Sequence, residues 1–406
     1  MSPLGGSPSG RSLVLILGAL SAFGPLSLDL YLPSLPSLAR DLHTTTAASA
    51  LTLTACLIGL AVGQLLSGPL SDQLGRRRPV IVGVAVYAAA SVACMIAPNI
   101  WTLVGLRLLQ GFAGAAGIVV ARAVVRDLHT GVDAARLFAL LLAINGLVPV
   151  IAPVLGSQLL RITDWRGVFG VLGLIGVLLL LGVVHALPET LPVAARRSGS
   201  LRETLRILRR LLGDGSFMGY TMCSGLVLGA LFAYIAGSPF VLQTRYGLSS
   251  QMFSVIFAGN ALGIIVAGQI SSRLVARVTP ERLLGAGVFI CGAGAAVVLG
   301  AACTGAGLPA ILPGLFVVVA SVGLVLPNAT ALALADHPHE AGTASALLGF
   351  VQFAIGACAA PFAGIAGSSA DLPMALTITA LSAGALLAWA LNQPNAIRAS
   401  ERSADA

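Results

Sequence analysis

The sequence predicts an all-α membrane protein in which twelve transmembrane helices form two six-helix bundles. Three observations support this fold class: the apolar composition, the lengths of the apolar runs and the placement of arginine. Of the 406 residues, 57% are hydrophobic and only 9% are charged, whereas a soluble domain carries about 25% charged residues. A soluble core cannot bury that much apolar surface, so the chain is expected to lie in a lipid bilayer.

The apolar runs divide into twelve segments, each close to the roughly 20 residues that a helix needs to cross a bilayer. The predicted spans are residues 12–35, 48–70, 79–98, 101–124, 136–160, 166–187, 215–241, 251–274, 282–304, 307–333, 343–367 and 371–393. The fifth contains Pro149 and Pro153. We expect a kinked span there, because membrane helices tolerate proline.

Arginine sets the predicted orientation. If the N-terminus is inside, 18 of the 23 basic residues fall in inner segments, four in outer segments, and Arg107 within a span. Because inner loops are enriched in basic residues, both termini are expected to be cytoplasmic. The first apolar run follows Arg11 like a signal peptide, but it continues to about Leu35 and is expected to be retained. The net charge of +8 thus reflects topology, and no nucleic-acid partner is expected.

One long inner loop separates an N-terminal bundle at 1–187 from a C-terminal bundle and tail at 215–406. This cytoplasmic linker, 188–214, contains leucines at the spacing of one helix face: Leu201, Leu205, Leu208 and Leu212. Arginines occupy most of the opposite face, so the linker is predicted to hold an amphipathic helix on the inner leaflet.

A short internal sequence repeat indicates that the two bundles are related. The triplet GQL at 63–65 recurs as GQI at 268–270, and each copy precedes an arginine-rich inner loop. Two related halves around a central cavity are a known plan among membrane transporters, with the binding site near the middle of the bilayer.

Two ionisable side chains in the predicted spans are candidates for function, because a charge there costs at least about 2.5–3.5 kcal/mol. Asp29 lies in the outer half of the first span and Arg107 early in the fourth. Asp29 is interpreted as a proton-exchanging carboxylate, with a solvated interfacial carboxylate as the alternative. Arg107 is interpreted as setting the local field, in one state close to Asp29, with a structural arginine bound to carbonyl groups as the alternative.

Polar and aromatic residues in the spans are candidates for a substrate site, with helix–helix packing as the alternative. Together with Asp29, the candidates are Phe23, Tyr31, Gln110, Asn145, Tyr234, Ser238, Asn260 and Gln352.

The sequence gives no reason to expect a metal, a cofactor or an enzyme. None of the six cysteines forms a C-x-x-C pair, and we expect most of them to be small buried residues. The five histidines lie at span ends or in loops, and no nucleophile–base pair is evident.

Several motifs resemble those of the major facilitator superfamily. Residues 68–78, GPLSDQLGRRR, are similar to its cytoplasmic motif between the second and third helices, and residues 107–111, RLLQG, to its fourth-helix motif. Residues 149–157, PVIAPVLGS, resemble the fifth-helix motif of its antiporter branch, with Ala152 and Ser157 where glycine is usual.

Three further segments resemble the Bcr/CflA subfamily of proton-coupled drug-resistance exporters. They are LDLYLPSLP at 28–36, YIAGSPF at 234–240 and AGTASALLG at 341–349. The resemblance covers essentially the whole chain and implies the major facilitator superfamily fold.

The resemblance also implies roles for individual residues. An inner gate would contain Gly68, Asp72, Gly75, Arg76 and Asp127, and a hinge in the fifth helix would contain Pro149, Pro153 and Gly156. Arg76 would pair with Asp127, and Asp72 would cap the eleventh helix. Arg107 would support proton coupling by Asp29.

The resulting expectation is a monomeric proton-coupled antiporter of the bacterial plasma membrane. It would export small, largely apolar drugs, such as chloramphenicol- or bicyclomycin-like antibiotics, by alternating access. Its partners would be the drug, protons and the lipid bilayer. The alternatives are a permease or exporter of an endogenous metabolite and a membrane receptor, although a receptor requires a soluble domain that the sequence lacks.

Overall fold

The structure, a computed structural model, describes residues 8–129, 131–192, 196, 201–337, 340–363 and 371–404. The described residues form fourteen α-helices: α1 Pro8–Asp29, α2 Leu35–Asp41, α3 Thr46–Leu74, α4 Arg77–Met95, α5 Ile100–Leu128, α6 Gly131–Leu159, α7 Trp165–Ala186, α8 Leu201–Gly213, α9 Gly215–Pro239, α10 Ser250–Leu274, α11 Pro280–Thr304, α12 Leu308–Ala335, α13 Ala341–Ala363 and α14 Asp371–Ala404. A 3₁₀ turn at Leu32–Ser34 precedes α2, and a π-helical segment at Phe240–Arg245 follows α9.

Twelve helical segments among the described residues are long and apolar enough to cross a membrane. Each overlaps one of the predicted spans, which confirms the predicted fold class. The fifth, Arg136–Leu159, is a continuous helix despite its two prolines.

The first span differs from the prediction because its helix is interrupted. The helix α1 ends at Asp29, and the chain continues through the 3₁₀ turn into α2. Pro33 and Pro36 stand in the first turns of these two short helices, where the missing backbone N–H costs nothing. Asp29 therefore lies at a helix end.

The inner ends of α3 and α5 also extend beyond the predicted spans. Asp72 lies in the last turn of α3, and Arg126 and Asp127 lie in the last turn of α5. Charged side chains end a hydropathy signal, but they do not end a helix whose last turns leave the bilayer.

Residue contacts divide the chain into two compact units. Unit 1 comprises residues 1–44 and 55–199, and unit 2 comprises 45–54 and 200–406. The same neighbours recur within each unit. In unit 1, α1 packs against α5 and α6, and α4 packs against α5 and α7; in unit 2, α9 packs against α12 and α13, and α11 packs against α12 and α14.

Glycines allow close helix crossings in both units. In unit 1, a Cβ atom on Gly63 would lie 2.5 Å from the carbonyl oxygen of Phe112, and one on Gly111 would lie 2.9 Å from the carbonyl carbon of Cys56. In unit 2, a Cβ atom on Gly323 would lie 2.7 Å from the backbone nitrogen of Gly268. Only glycine lets these backbones approach so closely.

The predicted linker helix is present as α8, and one side of it packs on other helices. Leu211 is fully buried where α8 packs on α9 and α13, whereas Leu212 is 55% exposed. The side chains of Leu201 and Leu205 lie outside the described residues. Leu211 therefore faces the protein, whereas Leu212 does not, and the predicted contact of the leucine face with the inner leaflet stays a prediction.

An ion pair and a histidine–carboxylate contact also hold the α8 region to the rest of unit 2. Arg210 Nη1 lies 2.7 Å from Glu340 Oε1, and His337 Nε2 lies 3.3 Å from Asp214 Oδ2. Asp214 in addition caps α9 by accepting hydrogen bonds from the backbone N–H groups of Ser216 and Phe217.

Most of the cysteines are buried, as expected. Cys56, Cys94, Cys223 and Cys291 are buried, and Cys303 is exposed. Cys358 is also exposed and, like Cys303, is an exception to that expectation, because an apolar helix can present a small residue on its outer face.

Candidate functional site

Asp29 is the one buried carboxylate among the described residues of unit 1. It is 4% exposed at the C-terminal end of α1. Among the described residues, no cation lies within 4.0 Å of its carboxylate. A buried charge without a partner is unfavourable, and the partial negative charge of a helix C-terminus adds to the cost. The solvated interfacial carboxylate considered above does not fit this burial.

Arg107 of α5 is fully buried beside the segment that contains Asp29. Its Nη2 donates a hydrogen bond of 2.9 Å to the carbonyl oxygen of Ser27. Its guanidinium carbon lies 4.4 Å from the ring centroid of Tyr31 and 5.5 Å from that of Phe169. Arg107 therefore holds the chain two residues before and two residues after Asp29, without an ion pair to Asp29 in this conformation.

A polar network anchors Arg107. Its Nη1 donates to Gln110 Oε1, and Gln110 Nε2 donates to Ser91 Oγ at 2.6 Å. The Ser27 hydroxyl is 2.6 Å from the hydroxyl of Tyr87. Arg107 Nε has no hydrogen-bond partner among the described residues. The side chain is thus fixed by a carbonyl, an amide and two aromatic rings, as the structural alternative for Arg107 anticipated.

The helix α6 contacts the same segment through its predicted hinge. Pro149 and Pro153 lie inside α6, about two turns and one turn before Gly156, respectively. A Cβ atom on Gly156 would lie 3.0 Å from the carbonyl carbon of Leu30, and closer still to its oxygen. The predicted hinge glycine and the predicted coupling arginine therefore meet at residues 27–31, around Asp29.

The other substrate candidates of unit 1 take part in helix packing. The ring of Phe23 stacks on Tyr87 with centroids 4.2 Å apart, and Tyr31 is fully buried against Arg107. Asn145 donates to Ser21 Oγ at 2.5 Å. With Gln110 held in the network above, these residues act as contacts between helices in this conformation.

The candidates of unit 2 form separate, smaller groups. Asn260 Nδ2 donates to the Tyr234 hydroxyl at 2.8 Å, and Gln352 Nε2 donates to Ser224 Oγ at 3.1 Å. Ser238 is fully buried, and its hydroxyl has no partner among the described residues.

The predicted inner gate residues meet around Arg76. Its Nε donates to Asp127 Oδ2 at 2.8 Å, and its Nη1 donates to Asp72 Oδ1 and to Ser71 Oγ. Burial opposes the charge of Arg76, but hydrogen bonds to Asp127 and Asp72 and the charges of both carboxylates outweigh it and raise the pKa of Arg76. We call Arg76, Asp72, Asp127 and Ser71 the Arg76 cluster.

The two predicted gate glycines differ in their surroundings. Gly75 has φ +89°, a left-handed conformation that favours glycine and makes the tight turn. A Cβ atom on Gly68 would have Val119 as its nearest neighbour, at 4.0 Å. Within unit 1, Gly68 therefore allows no close approach. The predicted cap by Asp72 joins the two units and stays a prediction.

Sequence reasoning missed two residues beside the Arg76 cluster. Glu189 Oε1 accepts a hydrogen bond of 2.8 Å from the backbone N–H of Arg76, and Thr190 Oγ1 donates one of 2.9 Å to Asp127 Oδ2. The available signal was an acidic residue, Glu189, two positions after the sixth predicted span, in an inner loop that is mostly basic.

The charge of Glu189 is stabilised by its surroundings. Burial raises the pKa of its carboxyl group, but hydrogen bonds from the backbone N–H groups of Arg76, Leu191 and Arg77, with the charge of Arg196, outweigh it and lower this pKa below its ordinary value. Glu189 is therefore ionised at neutral pH.

Comparison with known proteins agrees with this architecture. Residues 15–361 match the family model of the Major Facilitator Superfamily. The chain is 39% identical over 373 residues to the "Uncharacterized MFS-type transporter YdgK" of Bacillus subtilis, covering 91% of this chain and 92% of that protein. It is 30% identical to the "Bicyclomycin resistance protein homolog" of Haemophilus influenzae, covering 93% and 94%.

Solved structures share the fold at low sequence identity. The nucleoside transporter NupG superposes with a TM-score of 0.76 at 13% identity, covering 94% of this chain and all of that one. The likeness to NupG shows the fold alone. The family match, the relatives and the twelve membrane-crossing segments together establish that this chain is a multi-pass membrane transporter, not an enzyme, and belongs to the major facilitator superfamily.

Proposed function

We propose that this protein is a proton-coupled antiporter that exports small, largely apolar drugs across the bacterial inner membrane. It works as a monomer by alternating access, with both termini in the cytoplasm. The burial of Asp29 without a cationic partner among the described residues, inside a segment fixed on both sides, carries the proposal.

Asp29 has the properties that a coupling carboxylate needs. The negative charge of a carboxylate held away from water and from cations is neutralised by binding a proton or compensated by a cationic ligand. In a transmembrane segment such groups mark proton relays and substrate pathways. Asp29 is thus the group through which proton uptake changes the energy of the surrounding helices.

Arg107 and Gly156 supply the mechanical part of the coupling. Arg107 contacts the Ser27 carbonyl and the Tyr31 ring, and Gly156 packs against Leu30. A change in charge at Asp29 that moves this segment is therefore transmitted to α5 and α6. The coupling runs through the backbone around Asp29, so no direct ion pair with Arg107 is needed.

The drug class rests on two supports. A relative of 30% identity is named a bicyclomycin resistance protein homologue, and the candidate substrate residues are mostly aromatic groups and neutral amides rather than charges. A ligand held by such groups is apolar or weakly polar.

Transport into everted membrane vesicles tests the proposal. A panel that includes chloramphenicol and bicyclomycin is offered to vesicles with an imposed proton gradient, with and without an uncoupler. We expect accumulation of at least one drug that the uncoupler abolishes. If no panel member is accumulated and an endogenous metabolite is, the chain is a metabolite exporter.

The role of Asp29 is tested in the same vesicles. Asp29→Asn should abolish gradient-driven accumulation, because the amide cannot bind and release a proton. Asp133→Asn is the matched control, since Asp133 lies on the surface of α6 in a 3.5 Å pair with the exposed Arg136, and it should transport at the wild-type rate. Gradient-driven transport by Asp29→Asn at that rate would refute the coupling role.

A further inference from the structure

Residues Pro188–Leu191 follow α7 and contact the Arg76 cluster. In the sequence they lie outside the superfamily motif at residues 68–78. Glu189 Oε1 accepts the backbone N–H of Arg76 at 2.8 Å, and Oε2 accepts that of Arg77 at 3.3 Å. These are the N-cap and first residues of α4, and the side chain at the N-cap makes no capping bond of its own. Glu189, 113 residues further along the chain, therefore caps α4.

The turn before α4 is shaped to admit this carboxylate. A Cβ atom on Gly75 would lie 2.8 Å from Glu189 Cδ and closer to its Oε2. The space that a side chain would occupy at residue 75 is filled by the Glu189 carboxylate and by Arg196 Nη2 beside it. Gly75 thus serves two purposes, since it supplies the left-handed turn and leaves room for Glu189.

Thr190 acts on the other side of the same arginine. Its hydroxyl donates to Asp127 Oδ2, the oxygen that also accepts from Arg76 Nε. The two bonds fix the orientation of the carboxylate that faces the guanidinium. Glu189 therefore holds the backbone of Arg76, and Thr190 holds the partner of its side chain.

A third bond ties α4 to the helix that leads into this segment. Arg77 Nη2 donates to the carbonyl oxygen of Val184 in the last turn of α7 at 2.7 Å. The adjacent side chains of Arg76 and Arg77 thus join the start of α4 to the end of α5 and to the end of α7. Residues Pro188–Leu191 add the contacts of Glu189 and Thr190 to this group.

We propose that Glu189 and Thr190 are positioning residues of the transport cycle. They hold Arg76 where it can pair with Asp127, and so set the rate at which the Arg76 cluster forms and breaks. They touch neither drug nor proton. The proposal rests on the exporter function above for its transport consequences, whereas its structural basis lies within unit 1.

The proposal predicts a specific pattern in transport by proteoliposomes containing the full chain. Glu189→Ala should lower the maximum rate roughly tenfold or more, the effect of losing charge-assisted hydrogen bonds, with the KM for drug unchanged within about twofold. Glu189→Gln keeps one acceptor and should be intermediate. Thr190→Val should lower the maximum rate, and Thr190→Ser, which retains the hydroxyl, should restore it.

Asp133→Asn again serves as the control for loss of a carboxylate from unit 1, and it should change neither parameter. A purely structural role would lower the amount of folded protein and leave the rate per folded molecule unaltered. An unchanged maximum rate per folded molecule in both Glu189→Ala and Thr190→Val overturns the proposal, and so does a KM change without a rate change.

A second measurement does not depend on any drug. Amide hydrogen exchange across residues 75–78 should accelerate in Glu189→Ala, because the N–H groups of Arg76 and Arg77 lose their acceptor, and should stay slow in Asp133→Asn. Unchanged exchange in Glu189→Ala overturns the proposal. If the wild type transports no drug, the exporter function fails, and the exchange experiment alone decides whether Glu189 holds this turn.

Discussion

The contact between Gly156 and Leu30 allows a quantitative test of how α6 acts on Asp29. In Gly156→Ala, the added Cβ atom would lie 3.0 Å from the Leu30 carbonyl carbon, against the 3.4–4 Å of ordinary contact. Backbone must therefore move by at least 0.4 Å, and by more to clear the oxygen. Such overpacking costs about 1–3 kcal/mol.

The gain in helix propensity on replacing glycine with alanine, about 1 kcal/mol, opposes this cost. A control that receives only the gain separates the two effects. Gly105→Ala in α5 is such a control, because nothing lies within 4 Å of its added Cβ atom. The difference between the two variants should therefore equal the overpacking cost of about 1–3 kcal/mol.

Two assays read this out. The apparent midpoint of thermal unfolding of purified protein should be several degrees lower for Gly156→Ala than for Gly105→Ala. Gradient-driven transport should fall roughly tenfold in Gly156→Ala alone, because a displacement of this size misplaces the group that carries the proton. Equal stability and equal transport in both variants would refute the view that α6 positions the segment around Asp29.

Three further variants test other parts of the structure. Arg107→Lys retains the charge but loses the planar stacking on Tyr31 and most of the donors, and transport should fall by about tenfold or more; wild-type transport would show that charge alone suffices. The pKa of Glu189 is lowered below its ordinary value of 4.5, so ionised Glu189 contributes its full stability above that value and loses it as pH falls through the lowered pKa. In Glu189→Gln, the acid-side fall in the thermal unfolding midpoint should therefore be smaller than in the wild type. Identical pH profiles of the two proteins would contradict this role of Glu189. Leu211→Ala should destabilise the protein by about 2–5 kcal/mol and exposed Leu212→Ala by about 0.5 kcal/mol or less; the reverse order would show that Leu212, and not Leu211, packs against the protein.

The sequence contained most of the information about the spans because hydropathy and arginine placement are signals that the bilayer imposes on each segment separately. Helix ends outside the bilayer carry no such signal, which is why the last turns of α3 and α5 were placed in loops. The break after Asp29 was marked by Pro33 and Pro36, but its position depended on how the following turn packs.

The candidate site was predictable only in part, for a related reason. Asp29 and Arg107 stand out as charges in apolar runs. The carbonyl of Ser27, which holds Arg107, is a backbone group that every residue possesses, so no sequence pattern could reveal it. Glu189 acts on a turn 113 residues earlier in the chain, and such a contact exists only after the helices between them have packed.

The close glycine crossings bear on how the chain arose. The short repeat at 63–65 and 268–270 lies where two helix backbones are in contact at a glycine. Gly63 contacts the backbone of Phe112 in unit 1, and Gly268 contacts that of Gly323 in unit 2. The partner helices, α5 and α12, occupy equivalent places in the two neighbour patterns. If one ancestral gene segment was duplicated and fused, such a crossing resists change, because a side chain at Gly63 or at Gly323 would force the helices apart. The charged residues of the Arg76 cluster face no such steric limit, and the second copy could lose them while keeping its shape.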